Sequence, residues 1–185
     1  MAHETGHEAY ISVDIEAAGP IPGEYSMLTL GACLVHSVDT TFYVELQPIN
    51  GRFVPEALRV TGLSLAQLAE TGKPPADAMV AFRDWIAQAT PDAHPVFVGF
   101  NASFDWSFVN WYFHKYTGTN PLGIGGIDIK AYFMGLSGRR WGETTSSRLP
   151  HEFRSARPHT HNALADAQAQ AEIFEKLLAV SRREK

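Results

Sequence analysis

A mixed α/β sheet with helices packed on it is the fold class this sequence predicts, and three observations predict it. Three strand-like segments come first, beginning near Tyr10, Met27 and Phe42. Strand-like and helix-like periods then alternate, which calls for a sheet covered by helices. The chain has 185 residues, 45% hydrophobic and 19% charged, which suits one domain with a real core over residues 1–185.

Tyr10–Glu16 alternates, with Ile11, Val13 and Ile15 on one face, as a β-strand requires. Gly19-Pro20 and Pro22-Gly23 then break the chain. A second strand is expected from Met27 to Val35 and a third from Phe42 to Leu46. The short link Ser37–Thr41 would pair these two as an antiparallel hairpin. Helical patterns follow Pro55 and run from Pro75 to Ala89. Pro95–Phe100 is short and wholly apolar, as in the buried middle of a sheet. An aromatic helix is expected from Ala102 to Tyr116, stopping at Gly118. A short strand ending at Asp128, a helix over Ile129–Leu136 and an amphipathic helix over Ala163–Val180 complete the pattern.

Composition excludes several classes. No run approaches the ~18 apolar residues of a membrane-spanning helix. Met1–Glu8 lacks the basic and apolar stretches of a signal peptide and reads as a frayed end. A lone cysteine, Cys33, forms no internal disulfide and fits a reducing cytoplasm. The net charge of −5 would by itself argue against a nucleic-acid partner. That charge is uneven: residues 1–138 carry 6 Lys and Arg against 14 Asp and Glu, whereas residues 139–185 carry 9 against 6. The arginine-rich stretch 139–160 is either a solvated loop or a cationic lip for a phosphate chain.

Three acidic motifs carry the chemistry. Asp14 and Glu16, two apart on the first strand, stand side by side at its end. Two carboxylates there are costly unless solvated, paired or metal-bound. Asn101 follows the buried strand as a candidate N-cap, which sets Asp105 one turn into the aromatic helix. Such junctions lie where open α/β sheets build their sites. If Asn162 caps the last helix, His161 and Asp166 occupy positions that meet in a hydrophobic staple, so imidazole and carboxylate would approach each other. Singly, these read equally as an exposed strand end, a first-turn Asp serving the helix dipole and a surface histidine.

Together, Asp14-x-Glu16, Asn101-x-x-Phe104-Asp105 and His161-x4-Asp166 form a far more specific set. In order and context it resembles the DEDDh family of 3′–5′ exonucleases, which includes RNase T, oligoribonuclease and the proofreading subunit of bacterial DNA polymerase III. The stretches VDIEAAGP, FNASFDWSF and HNALADAQAQAEIF carry the resemblance, which spans Tyr10 to about Leu178.

The resemblance implies an RNase H-like fold with a five-stranded mixed sheet flanked by helices. It implies that Asp14, Glu16, Asp105 and Asp166 hold two divalent cations, Mg²⁺ or Mn²⁺, with Asp14 bridging and Asp105 acting through water. His161 would deprotonate the attacking water. The substrate would be a single-stranded DNA or RNA 3′ end, and the product a nucleoside 5′-monophosphate. Ala17, Asn101, Phe104 and Met27 would contact that end. Hard cations prefer oxygen ligands, and a cation pair suits in-line displacement at phosphorus. Four clustered carboxylates without cations would raise one another's pKa values. With four acids assigned to cations, the acidic total no longer argues against nucleic acid.

Some features depart from the family or stand outside it. Ala17-Ala18 replaces the threonines that many relatives carry, and Phe100 stands where relatives often place histidine. His3-Glu4-Thr5-Gly6-His7 spells the zinc-protease pattern, but it contains glycine and leads at once into a strand, so it reads as a chance match. The seven aromatics of Phe104–Tyr116 surround their helix. Core on one face, with a homodimer interface or loop cover on another, explains them; base stacking by Phe104 or Phe108 is the functional alternative. Cys33 reads as core. The rival to an exonuclease is a non-catalytic module on the same fold, binding nucleic-acid ends or a protein.

Overall fold

The computed structural model describes residues 7–183. Five strands, β1 (His7–Ala17), β2 (Met27–Leu34), β3 (Ser37–Glu45), β4 (Ala93–Gly99) and β5 (Gly126–Asp128), form one sheet in the order β3-β2-β1-β4-β5. The first three pair antiparallel, and β4 and β5 add parallel to β1. Six helices accompany them: α1 (Pro55–Thr61), α2 (Leu65–Thr71), α3 (Pro75–Ala89), α4 (Ser103–Thr117), α5 (Ile129–Ser137) and α6 (Ala163–Arg183). The mixed sheet flanked by helices is the architecture expected from the pattern.

Alternation along β1 decides which side receives which helix. Ile11, Val13, Ile15 and Ala17 face the core built with α3 and α4, where Phe82, Phe108, Tyr112 and Phe113 are fully buried. Each such side chain contributes about 1.5–3 kcal/mol on leaving water. The intervening positions Ser12, Asp14 and Glu16 run along α6 instead. Ser12 Oγ donates to the Ala167 carbonyl at 2.7 Å. A second core on that side joins Cys33, Val98, Phe133, Phe174 and Leu177.

Several boundaries differ from the expectation. His7 and Glu8 extend β1, paired with Ala93 and His94, so these two residues are not a frayed end; residues 1–6 lie outside the described residues. His3 and Glu4 of the zinc-protease pattern lie outside the described residues, and His7 is in a strand. Ser37–Thr41 belongs to β3 rather than to the link, leaving a two-residue turn at Val35-His36. The helical stretch after Pro55 divides into α1 and α2 at Gly62, whose φ of 69° breaks the helix.

Three of the seven aromatics of α4 are buried in the chain's own core, and the other four are partly buried. Phe108, Tyr112 and Phe113 are core, and Trp106 packs edge-on against Phe97. Trp111 lies under the loop after β1, where a Cβ on Gly23 would meet its ring at 2.9 Å. Cys33 is fully buried, and burial pushes its thiol up to about 12, which leaves it inert. Among the described residues no helix is long and apolar enough to cross a membrane.

Candidate active site

Asp14, Glu16 and Asp166 meet at the carboxyl end of β1, each offering an oxygen within 4.8 Å of the others. The strand supplies the first two, and the start of α6 supplies the third. Asn162 caps that helix, as its position suggests, with Oδ1 accepting the Ala165 N–H at 3.1 Å. Close approach of α6 to β2 requires Gly31, where a Cβ would stand 2.3 Å from the backbone of Ala163 and Leu164.

Asp105 reaches the same strand end from the other side of the sheet. It is buried in α4, and its Oδ1 accepts the Ile15 N–H at 3.0 Å. Spacing therefore identifies four acids that the fold does bring together, three in one cluster and Asp105 tied to the strand between Asp14 and Glu16.

The electrostatics are those of a cation site. Burial, followed by the charges of Asp105, Glu16 and Asp166, holds the Asp14 carboxyl well above the usual carboxylate range. Burial and the charges of Asp166 and Asp105 push Glu16 up to about 8. Burial pushes Asp105 to about 7, against the lowering effect of the Ile15 hydrogen bond. Asp166 is 2% exposed, and its Oδ2 is buried with no hydrogen-bond partner. A buried carboxylate oxygen without a donor is costly, and a cation is the partner that such an oxygen fits. The all-oxygen donor set suits a hard divalent ion.

Three sequence expectations for this region are corrected. Asn101 does not cap α4; it adopts a left-handed φ of 65°, and Ala102 occupies the cap position without a side-chain bond. The tight turn from β4 into α4 needs that conformation, which asparagine tolerates. Asp128 supplies the missing partner, accepting the Ala102 N–H at 2.7 Å and the Ala131 N–H at 2.9 Å, so one carboxylate serves two helix starts.

His161 does not staple onto Asp166. It has a φ of 54° and is exposed, and His159 takes the place, with Nδ1 3.0 Å from Asp166 Oδ1. The left-handed turn before the Asn162 cap brings the earlier histidine onto the carboxylate. Met27 is fully buried in the core, with its N–H donating to Tyr112 Oη at 2.8 Å, so its side chain offers no surface to a substrate.

Two hollows flank the acids. Glu16, Ala17, Gly19, Val60 and Phe104 line an apolar cleft of about 430 Å³. Phe104 is half-buried there, whereas Phe108 is core. On the α6 side, Asp14, Asp166, His159, Arg154, Arg157 and Gln170 border a hollow of about 460 Å³.

The arginine-rich stretch behaves mainly as a fastener. Arg139 donates to the Arg148 carbonyl, Arg148 to Gly142, and Arg154 to Leu149 and Ser147. Arg157 pairs with Glu172 at 2.8 Å. Irregular backbone leaves carbonyls without ladder partners, and guanidinium groups satisfy them.

Sequence reasoning missed Gln170. Its Nε2 donates to Asp14 Oδ1 at 2.5 Å, and its Oε1 accepts the Phe100 N–H at 2.8 Å. The signal was present: it lies one helical turn beyond Asp166, on the face turned to β1.

Comparison with known proteins places this geometry. The RNase_T exonuclease family matches residues 11–174. Cap18, a 3′–5′ DNA exonuclease of Escherichia coli, is 47% identical over 182 residues, covering 98% of this chain and 97% of its own. The nuclease domain of 3′hExo, a DEDDh family member solved with bound rAMP, matches with a TM-score of 0.73 at 14% identity, over 97% of this chain and 95% of that one. Exonuclease I of E. coli, solved with a dT13 oligonucleotide, matches with a TM-score of 0.68 at 16% identity, over 96% of this chain and 42% of that one. The fold is thus the RNase H-like fold of DEDDh nucleases, and with the sequence match over most of its length the chain belongs to the RNase_T exonuclease family.

Proposed function

We propose that the protein is a divalent-cation-dependent 3′–5′ exonuclease that removes nucleoside 5′-monophosphates from single-stranded DNA ends. One observation carries the reading: Asp14, Glu16 and Asp166 converge at the end of β1 with a buried Asp166 oxygen lacking a donor. The likeness to a 3′–5′ DNA exonuclease over nearly the whole chain supports DNA as the substrate.

Asp14, Glu16 and Asp166 would hold Mg²⁺ or Mn²⁺, with Asp105 contributing from α4. Bound cations supply Lewis acidity at the phosphoryl oxygens and a nucleophilic water at neutral pH. The apolar cleft seats the 3′-terminal nucleoside, Phe104 lies against the base, and the Ala17 backbone borders the sugar. Asn101 presents the turn beside the scissile phosphate. His161, exposed beside His159, would accept the proton of the attacking water.

The test is a 5′-labelled single-stranded oligonucleotide incubated with purified protein and Mn²⁺ or Mg²⁺. Stepwise shortening from the 3′ end is expected, with loss under EDTA and in Asp14→Ala. Intact substrate with either cation removes the reading. Matched RNA and duplex substrates define the preference.

A further inference from the structure

We infer that Gln170 is a positioning residue for the cation site, holding Asp14 in its ligating orientation by bracing it against the end of β4. The inference rests on the reading of Asp14 as a cation ligand and goes beyond it by assigning a role to a neutral residue.

Geometry assigns the amide without ambiguity. A peptide N–H can only donate, so the atom 2.8 Å from the Phe100 nitrogen must be the side-chain oxygen Oε1. Nε2 then faces Asp14 Oδ1 at 2.5 Å as a donor. An inverted amide would set two donors together at Phe100 and two acceptors together at Asp14. Gln170 is 8% exposed and packed in α6, so it has little freedom to turn.

The brace also answers an electrostatic need. Asp14 is ringed by three carboxylates and has no cationic side chain among its described hydrogen-bond partners. The Gln170 amide is the neutral donor that reaches it. A donor of this kind fixes the rotation of a carboxylate without adding a charge that would repel a cation. Partners of metal ligands act in this manner elsewhere, and losing one costs about 10–100-fold in metal affinity. The other end of the amide is anchored to Phe100, at the junction that leads through Asn101 to Asp105. One side chain therefore links α6 to β1 and to the residue after β4 where the acids converge.

The test is Gln170→Met, which keeps the unbranched shape and removes both hydrogen-bonding ends. Mn²⁺ binding to the substrate-free protein is measured by electron paramagnetic resonance, with thermal unfolding recorded in EDTA. Affinity is expected to fall about 10–100-fold. The Mn²⁺ concentration for half-maximal nuclease rate should rise in parallel, and kcat should recover toward wild type at saturating Mn²⁺. A merely structural role would lower the unfolding temperature and leave Mn²⁺ affinity of the folded protein unchanged; affinity within twofold of wild type overturns the inference. If Gln170→Met does not fold, Gln170→Leu is measured instead, because it also removes both hydrogen-bonding ends and adds no charge beside Asp14. Its Mn²⁺ affinity should likewise fall, and wild-type affinity again overturns the inference. Wild-type protein that binds no Mn²⁺ would overturn the cation reading itself and this inference with it. Wild-type protein that binds Mn²⁺ but cuts nothing would overturn the proposed activity alone.

Discussion

Nδ1 of His159 stands 3.0 Å from Oδ1 of Asp166, and the His159 ring meets the His161 ring at 4.3 Å between centroids. One histidine is thus engaged with a carboxylate, whereas the other is exposed and meets the first edge-on. General-base catalysis needs an imidazole able to take a proton, and it contributes about 10²–10⁴ in rate. His161→Ala should lower kcat by that order, while His159→Ala should lower it by less than tenfold. Steady-state rates with a short oligonucleotide decide this, and the reverse ranking would make His159 the base.

The Phe104 ring offers one wall of the apolar cleft beside Glu16. Base stacking on an aromatic side chain is worth about 1–3 kcal/mol. Phe104→Ala should raise KM for single-stranded substrate about 5- to 150-fold, since each 1.4 kcal/mol is tenfold. Mn²⁺ affinity without substrate should not change. An unaltered KM would remove Phe104 from the substrate cleft.

Gly31 pairs with Asp14 across β1 and β2 and leaves room for the first turn of α6. Gly31→Ala would push the backbone that carries Asp166 away from β1. Overpacking of this kind costs about 1–3 kcal/mol, which for a chain of this size lowers Tm by about 2–4 °C per kcal/mol. Calorimetry should show that drop together with weaker Mn²⁺ binding. A stable variant with normal Mn²⁺ binding would mean that α6 can retreat without disturbing the acids.

Stability without cations should fall as pH rises. Glu16 and Asp105 titrate near 8 and 7 in the folded chain, above the ordinary carboxylate values of about 4. The folded state thus binds more protons than the unfolded state across that interval, so raising pH through it favours unfolding. In EDTA, Tm should be higher at pH 5.5 than at pH 8.5, and Glu16→Gln should flatten the trend. Saturating Mg²⁺ should also flatten it, because a cation binds the ionised acids and offsets their repulsion. A metal-free Tm that rises with pH would contradict the assigned shifts.

The periods of the sequence were enough to order the strands and helices, because alternation and helical spacing are local properties. Ile11, Val13 and Ile15 announced a buried face, and Pro75–Ala89 matched its helix to the residue. The four acids were also legible, since Asp14 and Glu16 share a strand face, and Asp105 and Asp166 sit near helix starts. Tertiary structure decided the rest. His159 rather than His161 meets Asp166, and His161 takes a left-handed φ of 54° just before the Asn162 cap. Asp128 rather than Asn101 serves α4 because β5 brings a distant carboxylate beside it. Met27 is core because β2 is covered on both faces, and Gln170 reaches Asp14 across 156 positions of chain. Which acids are present is a matter of residue type and spacing. Which neighbour touches each of them depends on backbone turns and on contacts between distant segments, and local periodicity carries neither.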